Sequence, residues 1–137
     1  MAQSDVRPDS ELLDDFGQLI IDYPPLRQDR RRINVTANQG VISVTGHVRT
    51  PITMRYLLDR LAQIEGVRGV TAAALYDDES LQRAAGRVLG GVDGVVANVI
   101  YGIVILTGKL DDSEHVAELA AQIAQIPGVV EVAAKVG

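Results

Sequence analysis

The chain of 137 residues contains no cysteine, no tryptophan and a single phenylalanine. The absence of cysteine excludes disulfides, thiolate metal sites and thiol nucleophiles. Because aromatic residues are so scarce, aliphatic side chains must fill the core. The sequence has no apolar run long enough to predict a membrane-spanning helix, and its first residues do not resemble a signal peptide. We therefore expect a globular protein of the cytoplasm that binds no cofactor.

Charge is distributed unevenly along the chain, whose formal net charge is −5. Residues 1–75 contain nine acids and nine arginines and so sum to zero, whereas residues 76–137 contain nine acids and four bases and hold the whole excess. A nucleic-acid-binding protein usually presents a basic face. The acidic balance therefore argues against nucleic acid as a partner.

One local basic cluster stands against this balance. Arg27, Arg30, Arg31 and Arg32 lie within six residues. If they approach an anionic lipid surface, each adds about 1 kcal/mol of attraction. We take these four arginines as candidate lipid-binding residues at the surface of an inner membrane, and the alternative is that they are simply solvated.

The most informative pattern is an internal repeat. Residues 33–75 align with residues 95–137 at a constant offset of 62 without a gap, and eleven of the 43 pairs are identical. A period this long exceeds that of a solenoid repeat and is sufficient for a small domain with its own core. We predict an N-terminal tail at 1–9 and two domains at 10–76 and 77–137.

Hydrophobic periodicity predicts the same element order in both copies. A helix, capped by Ser10 in the first copy and by Asp78 or Ser80 in the second, precedes a hairpin of two alternating strands. A second helix starts at Thr50 and Pro51 in the first copy, with Asp112 as the equivalent cap, and a last strand follows. The fold class is therefore α+β, with two tandem α-β-β-α-β units. Each unit is expected to be a small mixed three-stranded sheet with two helices on one face.

Two glycines occupy equivalent places in the repeat. Gly46 and Gly108 each follow a threonine near the end of the second predicted strand. The segment from Gly102 to Lys109 has five residues between its glycines and no following serine or threonine, so it does not fit a phosphate-binding loop. We interpret both glycines as structural, because a missing side chain allows a helix to pack closely on the sheet.

The repeated tracts resemble the BON domain family of bacterial envelope and stress proteins. The resemblance rests on the segments Tyr101–Leu110 and Gln125–Val132, and on Gln39–Val48 and Ile64–Val70 in the first copy. It implies an α-β-β-α-β fold in two tandem copies. It also implies a non-enzymatic module that binds phospholipid surfaces or other proteins.

The outward faces of the two predicted sheets differ. In the first copy the outward residues of the hairpin are mostly Asn, Thr and Ser, whereas the second copy has four aliphatic residues on this face: Val96, Ile100, Ile103 and Ile105. Exposed apolar surfaces of this kind usually mark interfaces. We predict that these residues are buried against the other repeat or a second copy of the chain, with a homo-oligomer preferred.

Titratable residues do not form a catalytic constellation. His47 and His115 are isolated in the sequence and are interpreted as solvated. The acidic runs 77–79 and 111–114 precede helices, where carboxylates are stabilised by the helix dipole. A cation site built from these acids is the weaker alternative.

We therefore predict a tandem interaction and assembly module that is not an enzyme and has no metal site. Its expected partner is itself or another protein, with an anionic phospholipid surface as a further candidate. The alternative function is a sensor that responds to a small ligand or a cation.

Overall fold

The computed structural model describes residues 7–110 and 113–136, with Ser113 as backbone only. The helices are α1 (Asp9–Asp22), α2 (Pro24–Asp29), α3 (Pro51–Gln63), α4 (Asp78–Leu89) and α5 (Ser113–Ala124). The strands are β1 (Ile33–Asn38), β2 (Val41–Val48), β3 (Gly69–Asp77), β4 (Val95–Ile100), β5 (Ile103–Gly108) and β6 (Glu131–Val136). A 3-10 turn, Arg30–Arg32, joins α2 to β1.

The chain forms two units of the same topology, which confirms the predicted fold class. Unit 1 contains the sheet β1-β2-β3 and unit 2 the sheet β4-β5-β6. In each sheet the first two strands form an antiparallel hairpin, and the third strand pairs in parallel with the second. The parallel crossover is made by α3 in unit 1 and by α5 in unit 2.

The hairpin turns of the two units have the same backbone conformation. Gln39 and Gly40 have φ angles of 51° and 86°, and Tyr101 and Gly102 have φ angles of 49° and 79°. Two successive positive values are typical of the type I′ turn, whose twist matches that of the flanking strands. Gln39 and Tyr101 are not glycines, and a positive φ angle is unfavourable for residues with a side chain. Both turns therefore need additional contacts that stabilise them.

Each unit has its own aliphatic core, as the scarcity of aromatic residues requires. Alternate residues of the central strands, such as Ile42 and Val44 or Val104 and Leu106, are fully or almost fully buried. They meet the apolar stripes of the two helices of their unit. No helix in the described part of the chain is long and apolar enough to cross a membrane.

Several predicted helix boundaries are wrong in detail. Helix α1 begins after Pro8 without a side-chain cap, so Ser10 is not its cap. Helix α4 is capped by Asp77, whose carboxylate accepts a hydrogen bond from the backbone N–H of Ser80. Thr50 and Pro51 begin α3 as predicted, since the Thr50 hydroxyl accepts from the N–H of Thr53 at 3.1 Å. Asp112 lies outside the described residues.

The segment between α1 and β1 is mostly helical. Pro24 and Pro25 end α1 but begin α2, because proline fits the first turn of a helix, where its missing N–H has no partner to lose. The arginine cluster therefore lies on α2 and on the 3-10 turn.

The two structural glycines occupy equivalent positions, but the predicted reason is wrong. A Cβ atom on Gly46 would overlap the carbonyl oxygen of Arg32, and one on Gly108 would overlap that of Gly94. Both oxygens belong to the backbone just before the first strand of the unit, so the close neighbour is the chain entering the sheet and not a helix. Positive φ angles of 116° and 131° further favour glycine at the two positions.

Candidate functional site: the junction between the units and two exposed surfaces

An aspartate at the start of the first helix of each unit holds the hairpin turn of that unit. In unit 1 the Asp9 carboxylate accepts from the N–H groups of Gln39 and Gly40, both at 3.0 Å. In unit 2 the Asp78 carboxylate accepts from Tyr101 at 2.6 Å and from Gly102 at 3.0 Å. These bonds support the positive φ angles of the turns. They also show that the first helices are equivalent at an offset of 69.

Asp78 has a second role, because it also receives the guanidinium of Arg49 from unit 1. Arg49 Nη1 lies 2.6 Å from the Asp78 carboxylate and donates to the carbonyl of Val99 at 2.9 Å. The Asp78 side chain is only 3% exposed. The ion pair therefore joins the end of β2 to the turn region of unit 2.

Tyr101 makes a second contact between the units, in which unit 2 provides the hydrogen-bond donor. We call the contacts between the two units the junction. Its hydroxyl donates to the buried carboxylate of Asp29 at 2.8 Å, and the same carboxylate accepts from the backbone N–H of Arg49 at 3.1 Å. Burial, together with the hydrogen bond to Asp29, raises the pKa of Tyr101 to about 12. The guanidinium groups of Arg32 and Arg49 lie 5.0 and 5.7 Å from the centre of its ring, within cation–π range.

His47 is also part of the junction, so its interpretation as a solvated residue is wrong. Its Nε2 atom is 2.6 Å from the carbonyl oxygen of Gly128, and its ring is tilted against that of Tyr76 at 5.9 Å. Tyr76 covers Gly128, where any side chain would collide with the phenol ring. The outer face of sheet 1 thus contacts unit 2 at its His47 end. His115 lies half-buried on α5.

The aspartate carboxylates at the junction are occupied by hydrogen bonds within the protein. Asp29, Asp77 and Asp78 all accept hydrogen bonds from the protein itself. Within residues 7–110 and 113–136, no group of three His, Cys, Asp or Glu side chains could hold a metal ion. Asp77 caps α4, as the preferred interpretation of the first acidic run predicts, whereas Asp78 binds the hairpin turn of unit 2 and Arg49. Asp111 and Asp112 lie outside the described residues.

The four predicted lipid-binding arginines are all exposed, but they do not form one uniform patch. Arg32 is directed to Tyr101 across the junction. Arg30 lines a cavity of about 220 Å³ together with Phe16, Ile20 and Ile21 of α1. The exposed Ile21 places an apolar side chain beside this arginine.

The outer face of sheet 2 is open, as the alternation of the sequence predicts for its orientation. We call Val96, Ile100, Ile103 and Ile105 the apolar face. Val96 is 56% and Ile100 47% exposed, and Ile103 and Ile105 are half-buried in the sheet. Within the described part of the chain, unit 1 does not bury this surface. Burial of the apolar face against the other repeat, the first predicted alternative, is therefore wrong. Burial against a second copy of the chain stays a prediction.

Sequence reasoning missed Asp29, Arg49, Asp78 and Tyr101 as a group, because no spacing rule connects residues up to 72 positions apart. A signal did exist for part of it. The unit-1 copy is longer by seven residues between its first helix and its hairpin, so the first helices align at an offset of 69. That alignment places Asp9 on Asp78.

The BON domain family model matches residues 9–78, about half of the chain and all of unit 1. The chain therefore belongs to the BON domain family. Unit 2 lies beyond the matched range and shares with unit 1 the internal repeat and the sheet topology.

The fold is also similar to that of solved structures. The C-terminal domain of CdsD, the structural protein of the Type III secretion system of Chlamydia trachomatis, superposes with a TM-score of 0.77 at 18% identity, covering 96% of this chain and 67% of that one. A second structure of CdsD from Chlamydia trachomatis has a TM-score of 0.42 and 15% identity, covering 92% and 91% of the two chains. No curated protein sequence matches the chain.

Proposed function

We propose that the protein is a non-enzymatic assembly module that associates with itself through the apolar face of unit 2. The observation that carries the proposal is the exposure of Val96 and Ile100 on a two-strand surface that also includes Ile103 and Ile105. Membership of the BON family and the fold shared with a domain of a secretion-system structural protein support an assembly role.

The contrast with unit 1 supports the choice of this face. The same positions of sheet 1 hold Asn34, Asn38, Val41 and Ser43, and the hydroxyl of Ser43 accepts from Thr71 at 2.9 Å. The outer face of sheet 1 can therefore be solvated. On sheet 2, burial of each aliphatic side chain contributes about 1.5–3 kcal/mol of favourable free energy. A second copy offers an identical flat apolar surface, as a twofold contact requires.

We predict that the double change Ile103→Lys with Ile105→Lys breaks this contact, so that the mass of the assembly measured by light scattering falls below that of the unaltered chain. The neighbouring core residues Val104 and Leu106 point to the opposite face, so the unit should still fold. The matched control is Val41→Lys with Ser43→Lys, which adds the same charges at the same positions of unit 1. An unchanged mass for the first variant, or an equal loss of mass for the control, contradicts the proposal.

A second candidate function is peripheral binding to an anionic membrane, which the position of Arg30 beside the exposed Ile21 favours. We predict that the triple change Arg27→Ala, Arg30→Ala and Arg31→Ala abolishes co-sedimentation with phosphatidylglycerol vesicles. Arg32 is left in place because it contacts Tyr101. Binding should also disappear near 0.5 M salt, where charges are screened within about 4 Å.

The matched control for the arginine surface is Arg55→Ala with Arg60→Ala on α3, which removes positive charge elsewhere in unit 1. If both variants sediment with the vesicles as the unaltered chain does, the arginines are not the contact. A sensor function remains a prediction. For its cation-binding form, no group of three His, Cys, Asp or Glu side chains in the described residues could hold a metal ion.

A further inference from the structure

The free edges of β1 and β4 occupy equivalent positions but carry different neighbours. Each strand pairs on one side only, with β2 and β5 respectively. The two-residue turns make the closing pairs Asn38–Val41 and Ile100–Ile103 hydrogen-bonded. Backbone N–H and C=O groups of alternate residues therefore point outward from the free edge. These residues are Ile33, Val35 and Ala37 on β1, and Val95, Ala97 and Val99 on β4.

The β4 edge is closed by side chains. Gln82 on α4 donates from its amide to the carbonyl of Ala97 and accepts from the N–H of Val99 at 2.9 Å. Arg49 donates to the carbonyl of Val99 at 2.9 Å. These bonds occupy the carbonyl of Ala97 and both outward groups of Val99, which an added strand would need. Ala97 and Val99 are also almost fully buried. Such covering of an edge prevents pairing with another chain.

The β1 edge lacks this closure. At the offset of 69 that matches Asp9 with Asp78, the residue equivalent to Gln82 is Leu13, which is 37% exposed and has no polar group to offer. Val35 and Ala37 are only half-buried. Among residues 7–110 and 113–136, no side chain is hydrogen-bonded to their outward backbone groups. Unit 1 therefore presents a strand edge whose outward backbone groups bind no side chain of the described residues, bordered by the exposed Leu13 of α1.

We propose that the β1 edge pairs with β1 of a second copy of the chain, antiparallel about a twofold axis at Val35. The strand is complementary to itself in this register. Val35 faces Val35 of the second copy and Ile33 faces Ala37, while on the outer face Asn34 meets Thr36. No residue of β1 is charged, so no like charges are opposed. About six backbone hydrogen bonds would form, and the two sheets would become one of six strands.

This contact is independent of the apolar face, because the edge belongs to unit 1 and the face to unit 2. Two different twofold contacts on one chain link copies into an open row, whereas either contact alone gives a dimer. The inference thus specifies a second contact for the proposed assembly function. The two contacts are tested by changes at different residues.

Cysteine cross-linking tests the register, since the chain has no cysteine of its own. In the proposed pairing, residue 34 of one copy faces residue 36 of the other in a non-hydrogen-bonded pair, where side chains are closest. Mixing Asn34→Cys with Thr36→Cys under mild oxidation should give about tenfold more disulfide dimer than either variant alone. Thr45→Cys, exposed on the inner strand β2, should give none above background. No dimer in the mixture, or equal yields in all three samples, overturns the proposal.

Leu13→Gln provides a second test, because it transfers the closure of β4 to β1. Its amide can reach the carbonyl of Val35 and the N–H of Ala37, as that of Gln82 reaches Ala97 and Val99. We expect about tenfold less cross-linked dimer, with the melting temperature retained. Leu13→Met keeps the apolar side chain and should cross-link fully. Full cross-linking of Leu13→Gln overturns the proposal.

Ile103→Lys with Ile105→Lys should leave the cross-link intact. If it abolishes the cross-link, the β1 contact depends on the apolar face, so the edge proposal fails while the proposed function stands. If it leaves both the cross-link and the mass unchanged, the edge is the true contact and the apolar face is not.

Discussion

Asp78→Ala is expected to lower the free energy of unfolding by about 3–5 kcal/mol, because two backbone N–H groups lose a buried, charged acceptor and each such hydrogen bond is worth about 1.5–3 kcal/mol. The carboxylate accepts from the N–H groups of Tyr101 and Gly102 and from the guanidinium of Arg49. Alanine leaves all three donors without this acceptor. The positive φ angle of Tyr101 also loses its support. Urea unfolding followed by circular dichroism measures the effect.

Asp9→Ala is the matched control within the same chain. Asp9 holds the equivalent turn of unit 1 with two hydrogen bonds, but it is half-buried and pairs with no arginine in the described part of the chain. We expect its loss to cost about 1–2 kcal/mol. Equal effects of the two changes would show that the contact with Arg49 adds nothing to the turn-holding role of Asp78.

Most of the architecture could be predicted from the sequence, because the signals are local and occur twice. Period-two alternation in Val41–Val48 predicts both the strand and which side chains it buries. Gly40 marks the hairpin turn, and Thr50 with Pro51 marks a helix start, in each case by backbone chemistry that a few residues determine. The same alternation predicts the outward direction of Val96 and Ile100, whereas their partner remains a prediction.

The junction could not be predicted, because its contacts depend on how two finished units meet. His47 and Gly128 are 81 positions apart and carry no shared pattern. Gly46 shows a different limit. Its small size is visible in the sequence, but the neighbour that requires it, the carbonyl of Arg32, is known only once β1 lies beside β2.

Gly108→Val is expected to lower the free energy of unfolding by about 3–5 kcal/mol, from backbone strain and overpacking together. A Cβ atom at this position would overlap the carbonyl oxygen of Gly94, which accepts the N–H of Lys109 at 2.9 Å. The atoms nearest to such a Cβ belong to the backbone of Gly94 and Val95, so no side-chain rotation relieves the overlap. A β-branched residue also tolerates a φ of 131° poorly.

The matched control is Gly86→Ala on the exposed side of α4, where nothing lies within 4 Å of an added Cβ. Alanine replaces glycine in a helix interior, so this change should stabilise the chain by about 0.5–1 kcal/mol. Opposite signs for the two variants in thermal unfolding would confirm that the backbone environment, and not the loss of a glycine, sets the effect.

Gly108→Val lies in unit 2, and its effect on the stability of unit 1 tests whether the two units unfold together. Arg49, Asp78, Tyr101 and His47 connect them through hydrogen bonds at several points. Loss of unit 2 would leave the buried Asp29 of unit 1 without the Tyr101 hydroxyl, so unit 1 should lose stability as well. Amide signals of both units, followed by NMR through a urea titration, should then disappear at one midpoint. If unit 1 keeps its original midpoint while unit 2 unfolds earlier, the junction does not couple them.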